Sequence, residues 1–120
     1  MISLWSSTST ADVWYCEPWK TVELKNAEAN FANSSKAIMQ VKQNKVTIKK
    51  RFATSELNYS YTIIASQHNR LTALDDKSDF AEVGTLLFNQ EDKLLILTNT
   101  YDTFAEKVYG NLETYRCSEF

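Results

Sequence analysis

The stretch "KAIMQVKQNKVTIKKRF", residues 36–52, limits the possible folds more than any other part of the chain. Ala37, Met39 and Val41 share one parity, and Val46, Ile48 and Phe52 share one in the next run. Polar residues take most of the places between them. A period of two is that of a pleated strand with one buried and one wet face, and "QN" between the runs is a two-residue turn. The segment reads as a β-hairpin.

The same pattern continues downstream. "ELNYSYTIIAS" sets Leu57, Tyr59, Tyr61 and Ile63 against Asn58, Ser60 and Thr62. "HN" then turns the chain into "RLTALDD", with Leu71 and Ala73 in phase, and "ED" joins "EVGTLLFNQ" to "KLLILTNTY". β-Branched and aromatic residues fill these runs, as a half-buried pleated surface prefers. With two Gly and one Pro in the chain, Asn, Asp and Ser must make the turns. Gly84 within a run suggests a bulge or bend, and Gly110-Asn111 reads as a turn into the last strand, "LETYRC". Two segments alternate poorly. "EPWKTVELKNAEANFAN" fits a strand then a loop, or a short helix, and "DTFAEKVYG" fits one helical turn, with Phe104 and Val108 at i and i+4.

The expectation is an all-β fold, an antiparallel up-and-down meander of seven or eight strands. Hairpin-length connections favour a small closed or nearly closed barrel of lipocalin-like form, with a β-sandwich as the alternative. At 120 residues the chain is one domain, placed over residues 12–120. Residues 1–11 read as a disordered leader or a signal-peptide remnant. Ser9 and Ala11 suit a cleavage before Asp12, although a basic region and an adequate apolar stretch are missing.

Closure gives the cysteines a role. Cys16, in "DVWYCEP", lies on the first strand and Cys117, in "ETYRCSEF", on the last. A closed sheet makes those strands neighbours, so a disulfide can staple the seam. Such a bond needs an oxidising compartment, which places the protein in the periplasm or outside the cell. The alternative is a cytoplasmic protein with two buried thiols. Neither cysteine reads as reactive, since Cys16 sits beside the acidic Glu17 and the nearest histidine in sequence is remote.

Chemistry is otherwise sparse. A net charge of −2 gives no reason to expect nucleic acid. No uninterrupted apolar run exceeds four residues, so membrane insertion by a helix is not expected. His68 is the only histidine and sits in a turn, one His and two distant Cys have no zinc spacing, and no glycine-rich phosphate loop occurs. Asp75, Asp76, Asp79 and Glu82 lack the spacing of a calcium loop and read as a solvated acidic loop. No enzyme, cofactor or metal is expected.

Two surface features remain. Residues 36–51 carry six basic side chains and no acid, which makes Lys42, Lys45, Lys49, Lys50 and Arg51 a candidate docking surface for an acidic protein partner. The plainer reading is lysine kept on exposed strands for solubility. Trp14, Trp19, Tyr59 and Tyr61 are candidates to line a cavity for a small apolar ligand, although a barrel this short is more often filled by its own side chains.

With Trp14-Tyr15-Cys16 near the expected mature start, followed by "KAIMQVKQNKVTIKK", the first half of the chain resembles small exported bacterial proteins of unknown function, of the kind carried on mobile gene cassettes. The resemblance implies a bacterial origin and an extracytoplasmic place. It carries no activity and no functional residues. The expected function is a non-enzymatic binding module, of inhibitor or immunity type, that recognises a protein. The alternative is a lipocalin-like carrier of a small apolar ligand, with a small-barrel enzyme using the acids around Asp75 to Glu82 ranked last. Monomer and homodimer both fit the sequence.

Overall fold

Alternation closes the sheet on itself. A computed structural model describes residues 12–25, 28–52, 54–79, 81–102 and 108–119. These form β1 (Asp12–Lys25), β2 (Glu28–Ala32), β3 (Ala37–Lys42), β4 (Lys45–Phe52), β5 (Ser55–Gln67), β6 (Arg70–Asp75), β7 (Glu82–Asn89), β8 (Leu94–Asp102) and β9 (Val108–Glu119). Each of β3 to β8 pairs antiparallel with the next, β9 pairs back onto β1 and β1 pairs with β3, so the meander is a closed barrel. The sandwich alternative is set aside.

One strand lies outside the eight-stranded ring. β2 and β3 both pair with the same edge of β1 in one continuous register: Thr21 opposes Ala32, and Asp12 opposes Val41. They act as a single strand broken over residues 33–36. β3 goes on to pair with β4, whereas β2 pairs only with β1 among the described residues.

Turn chemistry sets the registers at one end. His68 and Asn69 both have positive φ, 53° and 62°, as the tight hairpin turn between right-twisted strands requires, and Gln43 and Lys93 take φ 57° in theirs. Elsewhere the sequence expectations need correction. The stretch after Pro18 opens as a strand, one of the two readings, since β1 runs on to Lys25 with a register shift between Pro18 and Lys20 where the proline lacks an N–H. Residues 28–32, however, form the further strand β2 and not a loop. Gly110-Asn111 is no turn, because both residues lie within β9. Of the expected helical turn, Asp102 belongs to β8 and 108–110 to β9, while Phe104 and the rest lie outside the described residues, as do residues 1–11.

Gly84 carries no bulge either. β7 pairs with β8 without a break, and the second register shift lies between Ile63 and Ala65. The glycine is needed for a close approach: a Cβ there would lie 2.9 Å from the Cβ of Asp75 on β6.

Inward-facing positions divide the interior into two zones. Toward the turns at 43–44, 68–69 and 90–93 it is apolar, built from Trp14, Met39, Val46, Ile48, Leu71, Leu86, Phe88 and Leu95. Trp14 meets Phe88 edge-on at 5.0 Å between ring centroids, as aromatic quadrupoles prefer. Cys16 and Cys117 face each other across β1 and β9 and form the expected disulfide. Beyond them, toward the other end, the same parities deliver Lys50, Asp75, Asn99 and Glu113.

Candidate functional site

The parity that buries Val46 and Ile48 also buries Lys50, whose exposure is only 5%. A lone buried ammonium would be costly, so its surroundings must compensate. Glu113 arrives on the inward parity of Tyr115 and Cys117 and takes both contacts from Lys50 Nζ, 2.8 Å to each carboxylate oxygen. Tyr115 O–H donates to Glu113 Oε2 at 2.7 Å, and Ser34 donates to the same oxygen at 2.8 Å. Thr21 in turn bonds Ser34 at 2.5 Å. The rings of Tyr59 and Tyr115 lie 5.5 Å from the ammonium, close enough for cation–π attraction.

Burial alone would push the Glu113 carboxyl up. The Lys50 charge and the hydrogen bonds from Lys50, Tyr115 and Ser34 outweigh it, and the group is held below the usual range. Burial, reinforced by nearby carboxylates, pushes the Tyr61 and Tyr115 phenols well up, so both stay protonated. Lys50, Tyr59, Tyr61, Asp75, Asn99, Asn111 and Glu113 enclose a polar pocket of about 110 Å³. That is well short of the roughly 300–1,000 Å³ of sites for drug-sized ligands.

The four aromatic candidates therefore do not share one cavity. Trp14 is packed in the apolar core, and Tyr59 and Tyr61 line the small polar pocket. Trp19, beside the register shift of β1, is 52% exposed, with the Arg116 guanidinium 4.4 Å from its ring. It lies on the outer wall.

The basic hairpin is likewise taken apart. Lys50 points inward. Lys45 reaches Asp76 at 2.7 Å and Thr62 at 2.7 Å. Lys49 and Arg51 share Glu56, at 3.7 and 3.5 Å. Lys42 ends β3 beside Lys45 at the turn. The acids missing from the hairpin's own sequence come from β5, β9 and the loop after β6. Asp76 also accepts from Ser60 and Thr62, and these bonds, led by that from Lys45, hold its carboxyl at about 2. Asp79 accepts from the backbone of Ala81 and Glu82, and Asp75 from that of Lys77, so the acidic loop is tied into its own turns.

A different arrangement on the same wall was not legible from charge alone. Outward-facing Tyr15, Ile38 and Lys49 stand in one cross-strand row, since Tyr15 opposes Ile38 and Ile38 opposes Lys49. They belong to a groove of about 440 Å³ whose exposed apolar side chains are Tyr15 and Ile38, with Cys16 and Ala37, both buried in the core, lying beneath them. Lys36, Lys49, Arg51, Glu17 and Glu56 supply charges of both signs around it. The sequence signal was the pair Tyr15 and Ile38, apolar residues on the parity opposite that of the buried Trp14, Cys16, Met39 and Val41.

Among the described residues no group of His, Cys, Asp and Glu is arranged to hold a metal ion, and no helix is long and apolar enough to cross a membrane. The chain matches no protein-family model, no curated protein and no solved structure.

Proposed function

We propose that this protein is a non-enzymatic, protein-binding module of inhibitor or immunity type, working in the periplasm or outside the cell. The observation that carries the reading is the groove on the outer wall between β1, β3, β4 and β5, where the exposed apolar pair Tyr15 and Ile38 is rimmed by both charges. Protein interfaces have that anatomy: an apolar centre excludes water while polar groups at the edge set orientation. The barrel interior supports it by contrast, since its apolar half is occupied by side chains of the chain itself and its polar half encloses about 110 Å³. That leaves the outer wall as the surface for a macromolecule and disfavours the carrier reading. The disulfide Cys16–Cys117 supports the compartment, because such bonds persist where the surroundings are oxidising.

The test uses the exported protein with a photo-cross-linking residue in place of Ile38. A specific partner should be captured there, and its affinity should fall at least ~10-fold on Lys49→Glu with Arg51→Glu, the loss of about one well-placed interfacial contact. Both side chains are exposed, so the fold should be unaffected. Capture that is equally efficient from a wall position outside the groove, with no response to the charge reversal, would remove the groove as the site.

A further inference from the structure

A closed barrel removes strand edges, and this one leaves an edge through its extra strand. β2, "EANFA", hydrogen-bonds to β1 on one side and pairs with nothing on the other among the described residues. Natural edge strands are guarded by lysine, proline, bulges or inward charge. β2 has no lysine or proline and its register against β1 is unbroken, so only its five-residue length and the single charge of Glu28 at its first position protect it. Phe31 is 83% exposed on its outer face.

That face continues onto the barrel. Phe31 opposes Val22 on β1, Val22 opposes Leu112 on β9, and Leu112 opposes Thr98 on β8. One row along, Ala29, Leu24, Gly110, Thr100 and Val83 stand side by side from β2 to β7. Neither row holds a charged residue. A partner recognised through ionic contacts would find nothing to pair with here, whereas an identical uncharged face meets no mismatch.

We infer that β2 is a self-association edge, pairing antiparallel with β2 of a second copy about a two-fold axis through Asn30. Full overlap of two five-residue strands fixes the register: Glu28 opposes Ala32 of the second copy, Ala29 opposes its Phe31, and Asn30 opposes its Asn30. No acid faces an acid. The two Phe31 rings become diagonal neighbours within aromatic reach, and the uncharged rows become continuous through the axis. Isologous pairing of this kind closes at two copies and leaves no edge for a third. The pairing is independent of the groove between β1, β3, β4 and β5.

A five-residue seam is smaller than a standard interface of about 800 Å² per partner, so association should be weak, over roughly 10 µM to 1 mM. Sedimentation of the oxidised full chain across that range should show a monomer–dimer equilibrium. The register predicts the rest. Ala29→Lys with Phe31→Lys puts like charges opposite each other and should abolish the dimer, whereas Ala29→Lys with Phe31→Glu pairs opposite charges and should restore it. Asn30→Cys should form a disulfide between copies, since directly opposed Cα atoms in antiparallel strands lie about 4.5–5.5 Å apart. A chain monomeric at 1 mM overturns the inference, as does a dimer indifferent to the charge pairs. So does a β2 that becomes protected from hydrogen exchange only when a different protein is added.

Discussion

Lys50 and Glu113 carry opposite charges into a site that would tolerate neither alone. Removing one partner of a buried pair is more costly than removing both, because the survivor keeps its desolvation penalty. Lys50→Ala should therefore destabilise the protein by about 3 kcal/mol, the low end for a broken buried pair, since Ser34 and Tyr115 still donate to Glu113. Lys50→Met combined with Glu113→Gln should cost less than the sum of the single changes; strict additivity in urea unfolding would argue that the two side chains do not interact. The pH dependence has a definite sign. Glu113 and Asp76 are both held below their ordinary values of 4.5 and 3.8, so their contribution is complete above those values and is lost as pH falls through the folded-state ones, about 2 for Asp76. Unfolding stability should decline below about pH 4.5, and Glu113→Gln should flatten that slope. A slope unchanged by the substitution would locate the acid sensitivity elsewhere.

Between elements, the close approach of β6 and β7 depends on Gly84. Gly84→Ala would place a methyl group 2.9 Å from Asp75 Cβ, an atom that cannot swing aside, and should destabilise by roughly 1–3 kcal/mol as overpacking does. Asp75→Gly in the same chain should recover much of the loss; a Gly84→Ala protein as stable as the parent would show that the strands are not held so close. Period-two alternation made the hairpins legible, and Val46, Ile48, Leu71 and Ala73 are all in the core where their parity put them. The same alternation held more than was taken from it. Lys50 shares the parity of Val46 and Ile48, Glu113 that of Tyr115, and Asp75 that of Leu71, so the polar end of the interior was written in phase with the apolar end. Reading the hairpin's lysines as one basic surface passed over that phase. The departures over 28–32 and 108–111 have another source. Gly and Pro were read as punctuation, whereas pairing of β1 with β9 along nearly their whole lengths carries both strands through them.

For the whole molecule, the long β1–β9 ladder and its disulfide decide whether the meander is a barrel or an open sheet with two exposed edges. The cysteines lie 101 residues apart, so their bond restricts almost the entire unfolded chain, by at most about 4.7 kcal/mol in the chain-entropy account. Cys16→Ser with Cys117→Ser should accordingly lower stability by roughly 2–5 kcal/mol. Neither the groove nor the free edge of β2 was read from the sequence, because both follow from β1 pairing with β2 and β3 along one edge: Ala37 meets Cys16 across β1 and β3, and β2 is left outside the ring because β3, not β2, goes on to pair with β4. The most direct measurement is the intact mass and thiol titre of folded protein exported to an oxidising compartment, followed by peptide mapping without reductant. The closed, stapled barrel predicts a mass lower by two hydrogens, no free thiol, and the Cys16 and Cys117 peptides recovered as one species. Two titratable thiols in the folded, exported chain would contradict it, leaving the seam unstapled and the compartment unsupported.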